Sequence, residues 1–231
     1  MSLSIVLPIH NEDKSLLHVV KNWSEFLNNE NIDHEFLLCE DGSTDNTKLV
    51  IKKIVSIYNA VDLSSDHRRG YGGGVLCGIE KASKQFILCI DSDGQCMPDS
   101  FKEVYKYRNK FDIVIGKRTP RKDPFIRIIY SKLFLFYFNL IFKNKLNDPS
   151  CPYVLARKNI FANSEKYLSF LREGFWWGFV ASGIKQNYKF KEIDIKHYPR
   201  FDGSTVVYKP LKMPSIIIRN IIGLMKLKLA K

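Results

Sequence analysis

The chain has 231 residues, 45% of them hydrophobic and 13% aromatic, enough apolar side chain to bury itself in one domain and to exclude a disordered polymer. Its formal charge of +12 is unevenly placed: residues 1–100 carry 9 Lys+Arg against 15 Asp+Glu, and residues 101–231 carry 27 against 9. An acidic first half suits a cation site, whereas a basic second half invites a polyanion. No long uncharged apolar run argues for a conventional membrane span. Nor does a basic stretch precede the first apolar run, as a secretory leader requires. The five cysteines form no CxxC pair and fit reduced thiols in a cytosolic setting better than a disulfide or zinc framework.

In chain order, Ser4–Pro8 reads as a buried strand and Lys14–Leu27 as a helix with Leu16, Leu17, Val20 and Trp23 at helical spacing. Glu35–Cys39 is a second strand, Thr47–Ile57 a helix and Val61–Leu63 a short third strand. A glycine-rich loop then opens a helix to about Lys84. Phe86–Ile90 is a fourth strand, Ser100–Asn109 a helix and Ile113–Gly116 a fifth strand. This alternation predicts an α/β domain whose largely parallel sheet is covered on both faces, with ligands at the carboxyl ends of its strands. From Thr119 the pattern changes. Phe125–Phe142 and Ile216–Leu229 are apolar helices interrupted by Arg127, Lys132, Arg219, Lys226 and Lys228, with Lys143 just past the first, a composition suited to lying at a lipid interface or packing on a neighbour. Arg127 and Ser131, four residues apart, share one edge of the first.

The polar clusters fall after the strands. Asp91-Ser92-Asp93-Gly94-Gln95 follows the fourth; two carboxylates two residues apart can converge on a hard cation, or can cap the next turn. Glu40-Asp41-Gly42-Ser43-Thr44-Asp45 follows the second. Ser43 or Asp45 can cap the next helix there, leaving Asp41 to accept hydrogen bonds from a ligand. Pro8-Ile9-His10-Asn11-Glu12 ends the first strand. Arg68-Arg69-Gly70-Tyr71-Gly72-Gly73-Gly74 permits close backbone approach to an anion, yet is neither a GxxxxGK[ST] loop nor a dinucleotide-binding turn.

These stretches resemble family 2 glycosyltransferases, and among them the polyprenyl-phosphate (dolichol-phosphate mannose synthase-like) sugar transferases, from Ile5 to about Val207. The resemblance implies a GT-A fold, a Rossmann-like α/β domain over residues 1–210. Its nucleotide-sugar half is 1–116, its acceptor half 117–210, and a basic amphipathic tail follows over 211–231. "IVLPIHNEDKSL" implies Pro8, His10 and Glu12 as nucleoside contacts. "CEDGSTDNT" implies Asp41 as the base-recognising carboxylate, and the glycine-rich segment brings Gly70 beside the sugar diphosphate. "DSDGQ" implies Asp91, Asp93 and Gln95 as ligands of Mg2+ or Mn2+. "IGKRT", "RIIYS" and "YPRFDGST" implicate Arg118, Arg127 with Ser131, and Arg200 as contacts to the acceptor phosphate. "NDPSCPYVLARK" is similar to a D-x-x-x-G-F segment but keeps only its acid, Asp148, since Cys151-Pro152 stand where the family has glycine.

The implied activity is inverting sugar transfer from a UDP- or GDP-linked donor to a polyprenyl phosphate, by an enzyme held peripherally at the cytoplasmic face of a membrane. Asp93, Arg118, Arg127 and Arg200 would carry the chemistry. An anionic acceptor needs no general base; a hydroxyl acceptor would, and Glu173 or Asp148 would then serve. A nucleic-acid-binding module would explain the basic half but leaves the acidic strand ends without purpose, so no nucleic-acid partner is expected. Oligomerisation is left open.

Overall fold

The structure is a computed structural model that describes residues 2–143, 145–168, 170–171, 174–201 and 213–230. Seven strands form one sheet in the order β3-β2-β1-β4-β6-β5-β7. β1 (Ser2–Ile9), β2 (Asp33–Glu40), β3 (Ala60–Asp62) and β4 (Phe86–Cys89) run parallel. β6 (Val154–Arg157) is antiparallel to both β4 and β5 (Ile113–Arg118), and β7 (Phe190–Ile195) pairs parallel with β5 along the far edge. The central strands read as continuous apolar runs because both of their faces are covered: Leu3, Ile5, Val6, Leu7, Phe36, Leu37 and Leu38 are wholly buried.

The helices are α1 (Leu16–Asn29), α2 (Thr47–Ile57), α3 (Gly70–Lys81), α4 (Phe101–Tyr105), α5 (Phe125–Phe142), α6 (Lys158–Leu168), α7 (Phe175–Lys185) and α8 (Met213–Leu229). The expected glycine-rich loop is instead the start of α3 itself. Glycine serves close packing there: a Cβ on Gly78 would lie 2.6 Å from both Cys39 Sγ and Val6 Cγ1, so α3 settles directly on β1 and β2. The helix expected over Ser100–Asn109 ends at Tyr105. Its continuation turns on Arg108 N–H to Tyr105 carbonyl bonding, with the Arg108 guanidinium 4.1 Å from the Tyr105 ring centroid.

α5 buries one stripe, Phe134, Phe138 and Phe142, with Phe134 and Phe138 against Trp177 of α7 at centroid distances of 4.7 and 5.0 Å. By length and composition it is also the one helix among the described residues able to cross a membrane. α8 packs on α5 and α7. Lys185 Nζ donates to the carbonyls of Lys228 and Ala230 at its carboxyl end, and Lys228 Nζ reaches back to the Ile141 carbonyl at 2.8 Å. All five cysteines are free thiols, four of them buried.

Candidate active site at the strand ends

The polar clusters do converge at the carboxyl edge of the sheet. Asp93, just past β4, is buried, and its Oδ2 accepts from Arg200 Nη2 at 3.0 Å. Arg200 Nη1 also lies 3.4 Å from Glu12 Oε1, so one guanidinium links the turns after β1 and β4. The stretch reaching Arg200 is laid along the acidic turn: Tyr198 N–H donates to the Gln95 carbonyl and Phe201 N–H to the Asp93 carbonyl. Gln95 Nε2 donates to the Tyr198 carbonyl at 3.3 Å, which leaves only its Oε1 for a cation. Ser92 Oγ donates to the Pro8 carbonyl, pinning this turn to the first strand.

The electrostatics mark the spot. Burial, and then the neighbouring charge of Asp93, raise the Asp91 carboxyl above its ordinary range. Burial pushes Glu12 up to about 7, although Ser15 and Arg200 favour its charged form. Two carboxylates crowded at a strand end, with excess negative charge between them, have the donor chemistry of a Mg2+ or Mn2+ site whose remaining ligands are water and phosphate. Among the described residues no third His, Cys, Asp or Glu joins them.

The turns after β1 and β2 form a second group. Asp41 was expected to be free for a ligand, but its carboxylate is occupied. Oδ2 accepts from Gly70 N–H at 3.0 Å and Arg68 Nε at 3.2 Å, and Oδ1 accepts from Arg69 N–H. Gly70 adopts φ +77°, which only glycine takes without strain, to bring that N–H round. His10 donates from Nδ1 to the Asp41 carbonyl and accepts from Arg68 on Nε2, so both of its nitrogens are engaged by the chain. Asp45, rather than Ser43, holds the start of α2 through Thr47 N–H, while Ser43 Oγ takes Asn11 N–H.

A third group lies beyond β5. Arg118 forks onto Asp148 with Nε–Oδ2 and Nη2–Oδ1 distances of 2.7 Å each, and Nη2 also donates to Ser150 Oγ. Burial works against both charges, but the pairing prevails: Arg118 is held above its usual value and Asp148 below the usual carboxylate range. Arg118, expected as a contact to the acceptor phosphate, has three of its five guanidinium N–H groups committed to the chain, and its Nη1 faces the Asp123 carboxylate at 3.7 Å. Asp148, locked in the same fork, is not poised as a base.

Asp123 is the centre of this group. It accepts from Arg127 Nη1 at 2.8 Å and Arg121 Nε at 2.5 Å, and Arg121 Nη1 donates to Ser131 Oγ at 2.9 Å. Arg127 and Ser131, expected together on the acceptor phosphate, are linked here through Arg121 and Asp123, which the spacing alone did not disclose. Buried His197 accepts from Lys122 N–H and is held down to about 4 by burial and then by Arg118. Arg127 and Arg118 both stabilise the charged form of Asp91, so the arginine group and the acidic pair lie within electrostatic reach of each other. Arg200 stands apart from that group, on Asp93. Glu173 and residues 202–205 of the late element lie outside the described residues.

Trp176 and Trp177, adjacent on α7, are both buried and serve different neighbours. Trp177 packs on α5, whereas Trp176 Nε1 donates to Tyr71 Oη at 2.8 Å.

A seven-stranded sheet with one reversed strand, and with carboxylates at the tip of β4, is a GT-A-like α/β arrangement. Residues 4–164 match the family described as glycosyl transferase family 2, and the chain belongs to that family. Among curated relatives it is 22% identical over 161 residues to the undecaprenyl-phosphate 4-deoxy-4-formamido-L-arabinose transferase of Proteus mirabilis (strain HI4320), covering 68% of this chain and 49% of that protein. The enzyme of the same name from Pseudomonas fluorescens (strain Pf0-1) is 27% identical over 134 residues, 57% of this chain and 39% of that one. The chain thus spans half or less of the length of these relatives. Among solved structures it is similar to glucosyl-3-phosphoglycerate synthase from Mycobacterium tuberculosis in complex with Mn2+, UDP and phosphoglyceric acid. The TM-score is 0.72 at 16% identity over 99% of this chain and 78% of that one, a likeness of fold.

Proposed function

We propose that this chain transfers a sugar, with inversion, from a nucleoside diphosphate sugar to a polyprenyl phosphate at a membrane surface. The observation that carries this reading is the pairing of two carboxylates at the tip of β4 with a separate arginine group, Arg121 and Arg127 around Asp123, on the polar end of an exposed apolar helix. Similarity to undecaprenyl-phosphate transferases supports the acceptor, and likeness to a fold solved with Mn2+ and UDP supports the donor.

Asp91 and Asp93 would hold Mg2+ or Mn2+, with Gln95 Oε1 as the remaining expected donor. The ion would neutralise charge developing on the leaving diphosphate. Arg200 balances Asp93 and Glu12, and is placed to turn its guanidinium toward phosphate when those carboxylates find another cation. The turns after β1 and β2, through Pro8, His10, Glu12, Asp41 and Gly70, would frame the nucleoside. Arg127, Arg121 and Ser131 would bind and orient the acceptor phosphate, since guanidinium groups match its oxygens. That phosphate is already anionic at neutral pH, so no carboxylate base is required. The fork that ties up Asp148 removes one of the two bases a hydroxyl acceptor would call on.

The test is a transfer assay with UDP- and GDP-sugars, offering polyprenyl phosphate or saccharide acceptors in the presence of Mn2+. Transfer to polyprenyl phosphate that is lost in Arg127→Ala and kept in Glu173→Gln supports the reading. The reverse pattern, with transfer to saccharide, rejects it.

A further inference from the structure

We propose that Tyr71, itself held by Trp176, is a positioning residue that fixes Asp91 for the divalent cation. The inference rests on the reading of Asp91 and Asp93 as cation ligands. Three elements distant in sequence meet here. Trp176 Nε1 of α7 donates to Tyr71 Oη of α3 at 2.8 Å, and Tyr71 Oη donates to Asp91 Oδ1, beyond β4, at 2.8 Å.

The direction of this relay is set by chemistry. An indole N–H can only donate, and an ionised carboxylate can only accept. Trp176 therefore occupies the acceptor side of the Tyr71 hydroxyl and turns its proton toward Asp91. Phe175 meets Tyr71 edge-on at 6.3 Å and Trp176 at 4.9 Å between centroids; Tyr71 itself is 37% exposed, so its hydroxyl is held by these two hydrogen bonds.

The two carboxylates are held differently. Asp93 has Arg200 on Oδ2 and Gln95 N–H on Oδ1, whereas Tyr71 is the hydrogen-bond donor seen on the Asp91 side chain. Holding Oδ1 to a neutral donor stabilises the ionised carboxylate and restrains its rotation, leaving Oδ2 for the cation. Partners that orient a ligand in this way typically change metal affinity by about 10–100-fold when removed.

The experiment compares wild type, Tyr71→Phe, Trp176→Phe and the double variant. Circular dichroism checks the fold, and the electron paramagnetic resonance signal of free Mn2+ is titrated with and without UDP. Tyr71→Phe keeps the ring and removes only the hydroxyl. The expected result is a dissociation constant for Mn2+ raised about 10–100-fold in Tyr71→Phe. Trp176→Phe should give a smaller rise, and the double variant should be no worse than Tyr71→Phe, because Trp176 acts through Tyr71. Mn2+ held as tightly by Tyr71→Phe as by wild type overturns the proposal and leaves the cation site standing. If Tyr71→Phe does not fold, wild-type affinity in Trp176→Phe overturns it instead. Wild type that retains no Mn2+ with or without UDP overturns the cation site and this proposal together.

Discussion

Arg118, the last residue of β5, and Asp148 meet in a two-pronged ion pair, 2.7 Å on each prong, with both side chains buried. The pair joins β5 to the loop leading into β6, the strand that runs against its neighbours, and so braces the point where the sheet changes direction. Truncating one member leaves the other charge buried and unpaired, which costs about 3–5 kcal/mol in comparable sites. Arg118→Ala and Asp148→Ala should each lower stability by roughly that amount in urea denaturation. Arg118→Lys should recover only part, because an ammonium cannot reproduce the fork. An Arg118→Ala protein of wild-type stability that had lost only phosphate-acceptor binding would return this residue to the ligand role its sequence suggests.

Glu12 and His197 make opposite contributions to stability across the same pH range. Glu12 is raised from 4.5 to about 7, so between these values the folded chain holds the extra proton and stability falls as pH rises. His197 is lowered from 6.5 to about 4, so the unfolded chain holds the extra proton and stability falls as pH drops. Each slope is at most about 1.4 kcal/mol per pH unit for one proton. Measured as differences from wild type, Glu12→Gln should gain stability steadily from pH 4.5 to 7. His197→Gln should compare best with wild type at pH 4 and worst at pH 6.5. Differences that do not vary with pH would show that neither group is shifted as its burial implies.

The front of the fold was legible because parallel strands buried on both faces leave uninterrupted apolar runs, as Ile5–Leu7 and Phe36–Cys39 do. The rear was not. β6 is four residues long, and β7, FKEIDI, is an edge strand whose charges hide its period. α7, FWWGFVASGI followed by lysine, is buried all round and so has no polar face to reveal it. The site divides in the same way. Acidic residues at strand tips announce themselves locally, but the partners that define their states are remote: Trp176 is 105 residues from Tyr71, and Arg200 is 107 from Asp93. Sequence also cannot say whether a buried arginine answers a ligand or the chain's own carboxylate, as the pairing of Arg118 with Asp148 beside Asp123 illustrates.

α5 and α8 together present an apolar surface with a basic margin. On α5, Phe125 is 78% exposed, and Leu133, Phe136 and Leu140 each stand more than half exposed; on α8, Ile218 and Leu229 do the same. Helices buried only along one stripe carry this composition at a cost in water unless something apolar covers them. A bilayer suits the two helices because Lys132, Arg219, Lys226 and Lys228 are exposed beside the apolar side chains, where anionic headgroups attract them. Flotation with vesicles containing anionic lipid should carry the chain upward, less so with neutral vesicles or at high salt, which screens the lysines. The triple variant Leu133→Glu, Phe136→Glu, Leu140→Glu should stay at the bottom of the gradient while keeping its circular dichroism, since none of the three supports the buried Phe134–Phe138–Phe142 stripe. Wild-type protein that floats with neither vesicle would leave the arginine group without a lipid phosphate to meet, and would turn the acceptor search toward soluble phosphorylated compounds.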